Sequence, residues 1–205
     1  MLRISRRSVL TLSLALVAVS VWAGSASAAT VSVPAAGTGS SYYTDSGIFI
    51  PSGESVTVTA SGTWSVCPPA NCTSGPAGNS SYPPPGVPPY ADPTAEAGTL
   101  IGSTNGASSW SAIGAGPTVV SGPGELLLTA NDIPPSEPGG CGGPTGCYLD
   151  NTGSVTAVIT FVATDKSQCK DGGWQTLTDA NGTPFKNQGD CVSYVATGGR
   201  NPANG

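Results

Sequence analysis

Two short stretches hold the side chains that could do chemistry. "GELLLTANDIPP", residues 124–135, ends an apolar run with Asn131 and Asp132. "YLDNTGSVTAVITF", residues 148–161, opens a second run with Asp150 and Asn151. Carboxylate and amide oxygens are hard donors, and a calcium ion takes about six to eight such oxygens. If the two runs are neighbouring antiparallel strands, their acidic ends meet at one edge of the sheet. Asp132, Asp150 and Asn151 then converge. Two carboxylates held that close repel, and one stays protonated unless a cation intervenes. The competing reading is turn chemistry, because Asp and Asn fill turns and strand ends without any ligand.

The surrounding charge sharpens the question. Between Ala29 and Thr164 there is no Lys or Arg, while Asp45, Glu54, Asp92, Glu96, Glu125, Asp132, Glu137 and Asp150 fall in the same stretch. Converging carboxylates there need a cation from solution. A nucleic acid partner is excluded, since binding one needs a basic surface. The same argument excludes an anionic membrane surface. The chain contains no histidine, so the usual Ser-His-Asp and Cys-His nucleophile systems are absent. Asp132 with Asp150 could in principle hydrolyse a glycosidic bond. No other acid–base group supports that chemistry, and the expectation is a protein that is not an enzyme.

The N-terminus reads as an export signal over residues 1–28. Arg3, Arg6 and Arg7 precede the apolar run Val9 to Trp22, and Ala26-Ser27-Ala28 is a small-x-small cleavage site. "SRRSVL" is similar to a twin-arginine signal, and a general secretory signal fits as well. No later segment is long and apolar enough to span a bilayer as a helix, which takes roughly 20 residues. The mature chain is expected to be secreted or periplasmic, with no membrane insertion after signal removal. All six cysteines lie beyond the signal, as expected of disulfides in an exported chain. Short loop closures favour Cys67–Cys72, Cys141–Cys147 and Cys169–Cys191, among several possible pairings.

The elements that must position the acidic cluster are strands. "ATVSVPA", "GTLIGST" and "PTVVSG" are short candidates, and "GELLLTAN" and "SVTAVITFVA" are the strongest. "SGIFIPSGESVTVTASGTW" reads as two strands around Pro51-Ser52-Gly53. In the second, Val56, Val58 and Ala60 alternate with Thr57, Thr59 and Ser61, the period of a half-buried strand. Short strands separated by Gly/Pro turns predict an all-β fold, an antiparallel β-sandwich of jelly-roll or galactose-binding-like form, over residues 29–164. Residues 67–97 form a long Pro- and Gly-rich loop, which is either functional or stapled. From Asp165 the composition changes, because Lys166, Lys170, Lys186 and Arg200 now balance the acids. Residues 165–205 are expected to form a small Cys-stapled, partly helical segment. Asp165 caps one helical turn that Gly172 closes, and Asn187 caps a second short helix that Gly198 ends.

On these motifs the chain from about Thr30 to Val162 resembles the PA-IL-type galactophilic lectins, small bacterial β-sandwiches that bind sugar through calcium. The residues that carry the resemblance are "ASGTWSVCPP", "GTLIGS", "GELLLTANDIP" and "YLDNTGSVTAVI". It implies a calcium held by Asp132, Asp150 and Asn151, with backbone carbonyls from Cys67 and Cys147. Two neighbouring sugar hydroxyls then complete the shell and donate hydrogen bonds to the carboxylates. The family's site also uses a His and a Gln from the middle loop. Here that loop, "GNSSYPPPGVPPYADP", offers neither, so calcium can persist while galactose specificity does not. Tyr82, Tyr90, Trp110 and Tyr148 could stack on a sugar ring, with Tyr148 the one nearest the acidic pair in sequence, or could pack the loops on the sandwich. The tail resembles a two-cysteine segment that recurs at the ends of exported bacterial proteins. The expectation is a calcium-dependent carbohydrate-binding protein. The alternative is a structural or cell-surface protein that keeps the lectin fold without sugar.

Overall fold

Alternation of β-branched and small polar residues makes the longest elements of this chain strands. The computed structural model describes residues 28–66, 73–80, 90–135 and 146–205. The signal region up to Ser27, the cysteines Cys67, Cys72 and Cys141, and Tyr82 lie outside them. The strands are β1 (Ala29–Pro34), β2 (Thr44–Ile50), β3 (Ser55–Ser65), β4 (Thr73–Ser74), β5 (Leu100–Ser103), β6 (Ser111–Ala112), β7 (Thr118–Ser121), β8 (Gly124–Ala130), β9 (Thr152–Val162) and β10 (Leu177–Thr178). One helix, α1, spans Gln188–Ala196.

They form two mostly antiparallel sheets packed as a sandwich. The first has the order β1-β9-β3-β4, with β7 also paired to β3 and β10 to β9. The second has the order β2-β8-β5-β6. Between them lies one core that includes Val33, Ile50, Val56, Val58, Trp64, Leu100, Leu126, Leu128, Val155 and Ile159. Fully burying each such aliphatic side chain contributes about 1.5–3 kcal/mol. The Trp64 indole N–H is not left orphaned in this core; it donates to the Gly98 carbonyl at 2.7 Å.

Pro51-Ser52-Gly53 links two strands, as expected. β2 belongs to the second sheet and β3 to the first, so this turn carries the chain across the sandwich. Thr57 was expected to face water, yet it is only 1 % exposed. The turn around Asp179 covers it, with the Thr57 hydroxyl donating to the Asp179 carbonyl at 3.5 Å.

That cover comes from the C-terminal segment, which is built onto the sheet. β10 pairs in parallel with the end of β9, Leu177 opposite Phe161 and Thr178 opposite Val162. Val162 and Ala163 pack with Leu177, Phe185 and Tyr194 around the Cys169–Cys191 disulfide. The Asn187 side chain accepts from the Asp190 N–H at 2.9 Å, capping α1, and Gly198 follows the helix with φ 61°. The stretch after Asp165 forms turns rather than a helical turn. Asp165 still makes the capping contacts expected of it: its carboxylate accepts from Ser167 N–H at 2.7 Å and its own N–H donates to Gln168 Oε1 at 2.8 Å, but the i-to-i+3 turns that follow do not continue as a helix.

Candidate functional site

The two acidic ends meet, though not by the route expected. β8 and β9 lie in different sheets and do not pair. The chain beyond β8 and the 3-10 turn Gly146–Asp150 before β9 instead come together at one end of the sandwich. There the Asn151 amide Nδ2 donates to Asp132 Oδ2 at 2.9 Å and to the Ala35 carbonyl at 3.2 Å. Asp132 Oδ1 accepts from the Ile133 N–H at 2.8 Å. Asp132 and Asn151 are each 5 % exposed, while Asp150 is open to solvent.

The local backbone explains the placement. Gly153 has φ 83°, and a Cβ there would lie 2.8 Å from the Thr63 carbonyl oxygen. The glycine lets β9 start flush against β3 directly after Asn151. Asn131, fully buried, fixes the other side. Its Oδ1 accepts from Asp92 N–H at 2.9 Å, and its Nδ2 faces the carbonyls of Asp92, Ala95 and Glu96 at 3.0 to 3.1 Å. Ala91 N–H donates to the Asp132 carbonyl at 3.0 Å. The middle loop is thereby tied beneath the site. Sequence reading used Asn131 only as part of a motif; the many backbone groups of a Pro- and Gly-rich loop that need partners were the signal for its structural role.

Tyr148 plays a different part from the one expected. Its ring is fully buried, so it presents no face to a sugar. Its hydroxyl donates to the Ala130 carbonyl at 2.8 Å and lies 3.3 Å from the Asp132 N–H that donates to it. Tyr148 positions Asp132. Tyr90 is buried too. Cys147 is buried and disulfide-bonded, and its N–H donates to the Ile133 carbonyl at 3.2 Å, which places it in the same cluster. Cys67 lies outside the described residues.

Electrostatically the site is short of positive charge. Burial pushes the Asp132 carboxyl up from 3.8 to about 6. The Ile133 N–H and the Asn151 amide oppose the rise, and the neighbouring Asp150 charge adds to it. Asn151 Oδ1 is buried and has no hydrogen-bond partner. An acceptor left this way costs about 1–3 kcal/mol, which a native fold rarely tolerates without a reason. Among the described residues no group of three or more His, Cys, Asp or Glu side chains converges. A cation here would be held by carboxylate, amide and carbonyl oxygens together, a donor set that fits calcium rather than a transition metal.

No protein-family model matches the sequence, and no curated protein matches it. Among solved structures, the chain is similar to "EclA N-terminal domain; PllA-like lectin" at 18 % identity and a TM-score of 0.43, over 64 % of this chain and 94 % of that one.

Proposed function

We propose that this protein is an exported, non-catalytic carbohydrate-binding protein that recognises glycan hydroxyls through a calcium ion held by Asp132, Asp150 and Asn151. The observation that carries the reading is the buried Asn151 Oδ1 without a partner, beside a buried carboxylate with no cation to neutralise it. Calcium supplies open coordination positions to two neighbouring hydroxyls of a sugar. Asp132, held from below by Ile133 N–H and Tyr148, anchors the ion. Asp150, exposed at the rim, accepts hydrogen bonds from the hydroxyls. The backbone carbonyl of Cys147 adds to the protein's share of the ligands. Export by residues 1–28 is in keeping with the Cys169–Cys191 disulfide. No described helix is long and apolar enough to cross a membrane.

One observation favours a second reading, a structural or cell-surface protein without sugar. Both Asp132 oxygens already accept hydrogen bonds within the chain, which is what turn chemistry alone would give.

Thermal melts in chelator and in millimolar calcium, followed by a glycan array in calcium, separate the two. A hundredfold excess over the dissociation constant stabilises the native state by about 2.7 kcal/mol. An upward shift that disappears in Asp150→Ala, together with glycan binding that needs calcium, is the expected result. An unchanged melt and a blank array overturn the calcium reading and leave the structural one.

A further inference from the structure

From Leu126 onward β8 is buried on both faces, and only one of them is the inter-sheet core. Leu126, Leu128 and Ala130 face that core. Leu127 and Thr129 point the other way, yet they are 7 % and 0 % exposed. Ile101, opposite Thr129 on β5, is fully buried and also stands outside the main core. Aromatic rings gather at this outer face. The Tyr148 hydroxyl bonds the Ala130 carbonyl, and the Thr129 hydroxyl donates to the Tyr42 carbonyl. The Tyr42 ring lies 5.1 Å from Tyr148, 5.3 Å from Tyr43 and 6.1 Å from Trp110, and Tyr43 and Trp110 are again 6.1 Å apart. Four of the chain's 13 aromatic residues, counting 4 Trp, 6 Tyr and 3 Phe, sit in this one cluster.

Only the innermost ring, Tyr148, is fully covered; Tyr42, Tyr43 and Trp110 are each part exposed. Their ring faces are apolar and their rims carry hydroxyls and an indole N–H, with no charge. That combination matches a pyranose, which presents C–H groups on its faces and hydroxyls around its edge. The cluster is also continuous with the acidic site. Tyr148 touches Tyr42 with its ring and meets the Asp132 N–H at 3.3 Å with its hydroxyl, so the part-exposed rings begin one tyrosine away from Asp132.

We propose that the Tyr42–Tyr43–Trp110 layer is a second carbohydrate subsite, which takes the next ring of an oligosaccharide whose terminal ring is held at Asp132, Asp150 and Asn151. This rests on the calcium-dependent reading above. It makes the natural ligand a glycan chain rather than a single sugar, and gives Trp110 a direct contact with it.

The test uses purified protein in millimolar calcium, titrated calorimetrically with galactose, glucose and mannose and with galactotetraose, cellotetraose and mannotetraose. At least one tetrasaccharide is expected to bind about tenfold or more tighter than its monosaccharide, a difference of about 1.4 kcal/mol, and to change tryptophan fluorescence. Trp110→Ala removes that gain and leaves the monosaccharide and calcium affinities unchanged. Tyr43→Ala does the same and stands in if Trp110→Ala does not fold. Equal binding of single sugars and tetrasaccharides by the native protein overturns the proposal, as does undiminished tetrasaccharide binding by a folded variant. Tetrasaccharide binding that survives chelator and Asp150→Ala but is lost in Trp110→Ala overturns the calcium reading and, with it, the two-subsite arrangement. A native protein that binds none of these sugars overturns both.

Discussion

Asp132 is a carboxylate that the fold has taken out of water and given two hydrogen-bond donors but no cation. Its folded pKa of about 6 lies above the unfolded value of 3.8. Between those values the native state holds a proton that the unfolded state has lost. Stability of the metal-free protein therefore falls as pH rises from about 4 to about 6, by on the order of 2–3 kcal/mol from this one group. The penalty remains in full above pH 6. Urea unfolding in chelator across this range should show the slope, and Asp132→Asn should flatten it. The other carboxylates contribute equally to both proteins, so identical pH profiles would show that Asp132 is not strained. At the same scale, Tyr148 shows how a buried hydroxyl works by holding a neighbour. It fixes the backbone at Ala130 and Asp132, and its burial, which pushes its own pKa well above 10, keeps it a neutral donor.

The elements bring these residues together from opposite sheets. Asn131 and Asp132 follow β8, β9 begins after Asn151, and the contact between the two ends is made by side chains rather than by a ladder. Gly153 is the position on which that arrangement turns. A side chain there meets the Thr63 carbonyl and the Trp64 Cα at 2.8 and 2.9 Å, at a φ of 83° that non-glycine residues rarely adopt. Gly153→Ala is expected to destabilise the protein by about 1–3 kcal/mol or more, and to weaken any calcium-induced rise in Tm because Asn151 moves with the strand. A Gly153→Ala protein with native stability and native calcium response would show that the start of β9 is not under this constraint.

Over the whole molecule, the C-terminal segment serves as a third layer on part of the first sheet. It adds β10 to β9, covers Thr57, and encloses a small core closed by Cys169–Cys191. The disulfide spans 22 residues of sequence, and removing a cross-link of this size costs about 3 kcal/mol. Cys169→Ser combined with Cys191→Ser should therefore lower the melting temperature. It should also speed amide exchange first in β10 and in the adjoining end of β9, because the small core rests on Phe161 and Val162. Exchange that increases only within α1 would mean the segment is held to the sheet independently of its staple.

The sequence by itself determined the strands, the turn at Pro51-Ser52-Gly53 and the Asn187 cap, and it favoured the Cys169–Cys191 pair among several pairings. Each depends on local chemistry: alternation of side chains across a pleat, a turn residue's backbone freedom, a side chain bonding an amide three residues away, or a short loop closure. It also singled out Asp132 and Asn151 as partners. Only the tertiary structure decided that β2 and β3, and likewise β8 and β9, belong to different sheets. A period of two says which residues share a face and nothing about which strand lies alongside. The same limit hid the covering of Thr57, the burial of Tyr148 and the grouping of Tyr42 with Trp110. Each of those depends on what a distant part of the chain lays over a face, which no local pattern encodes.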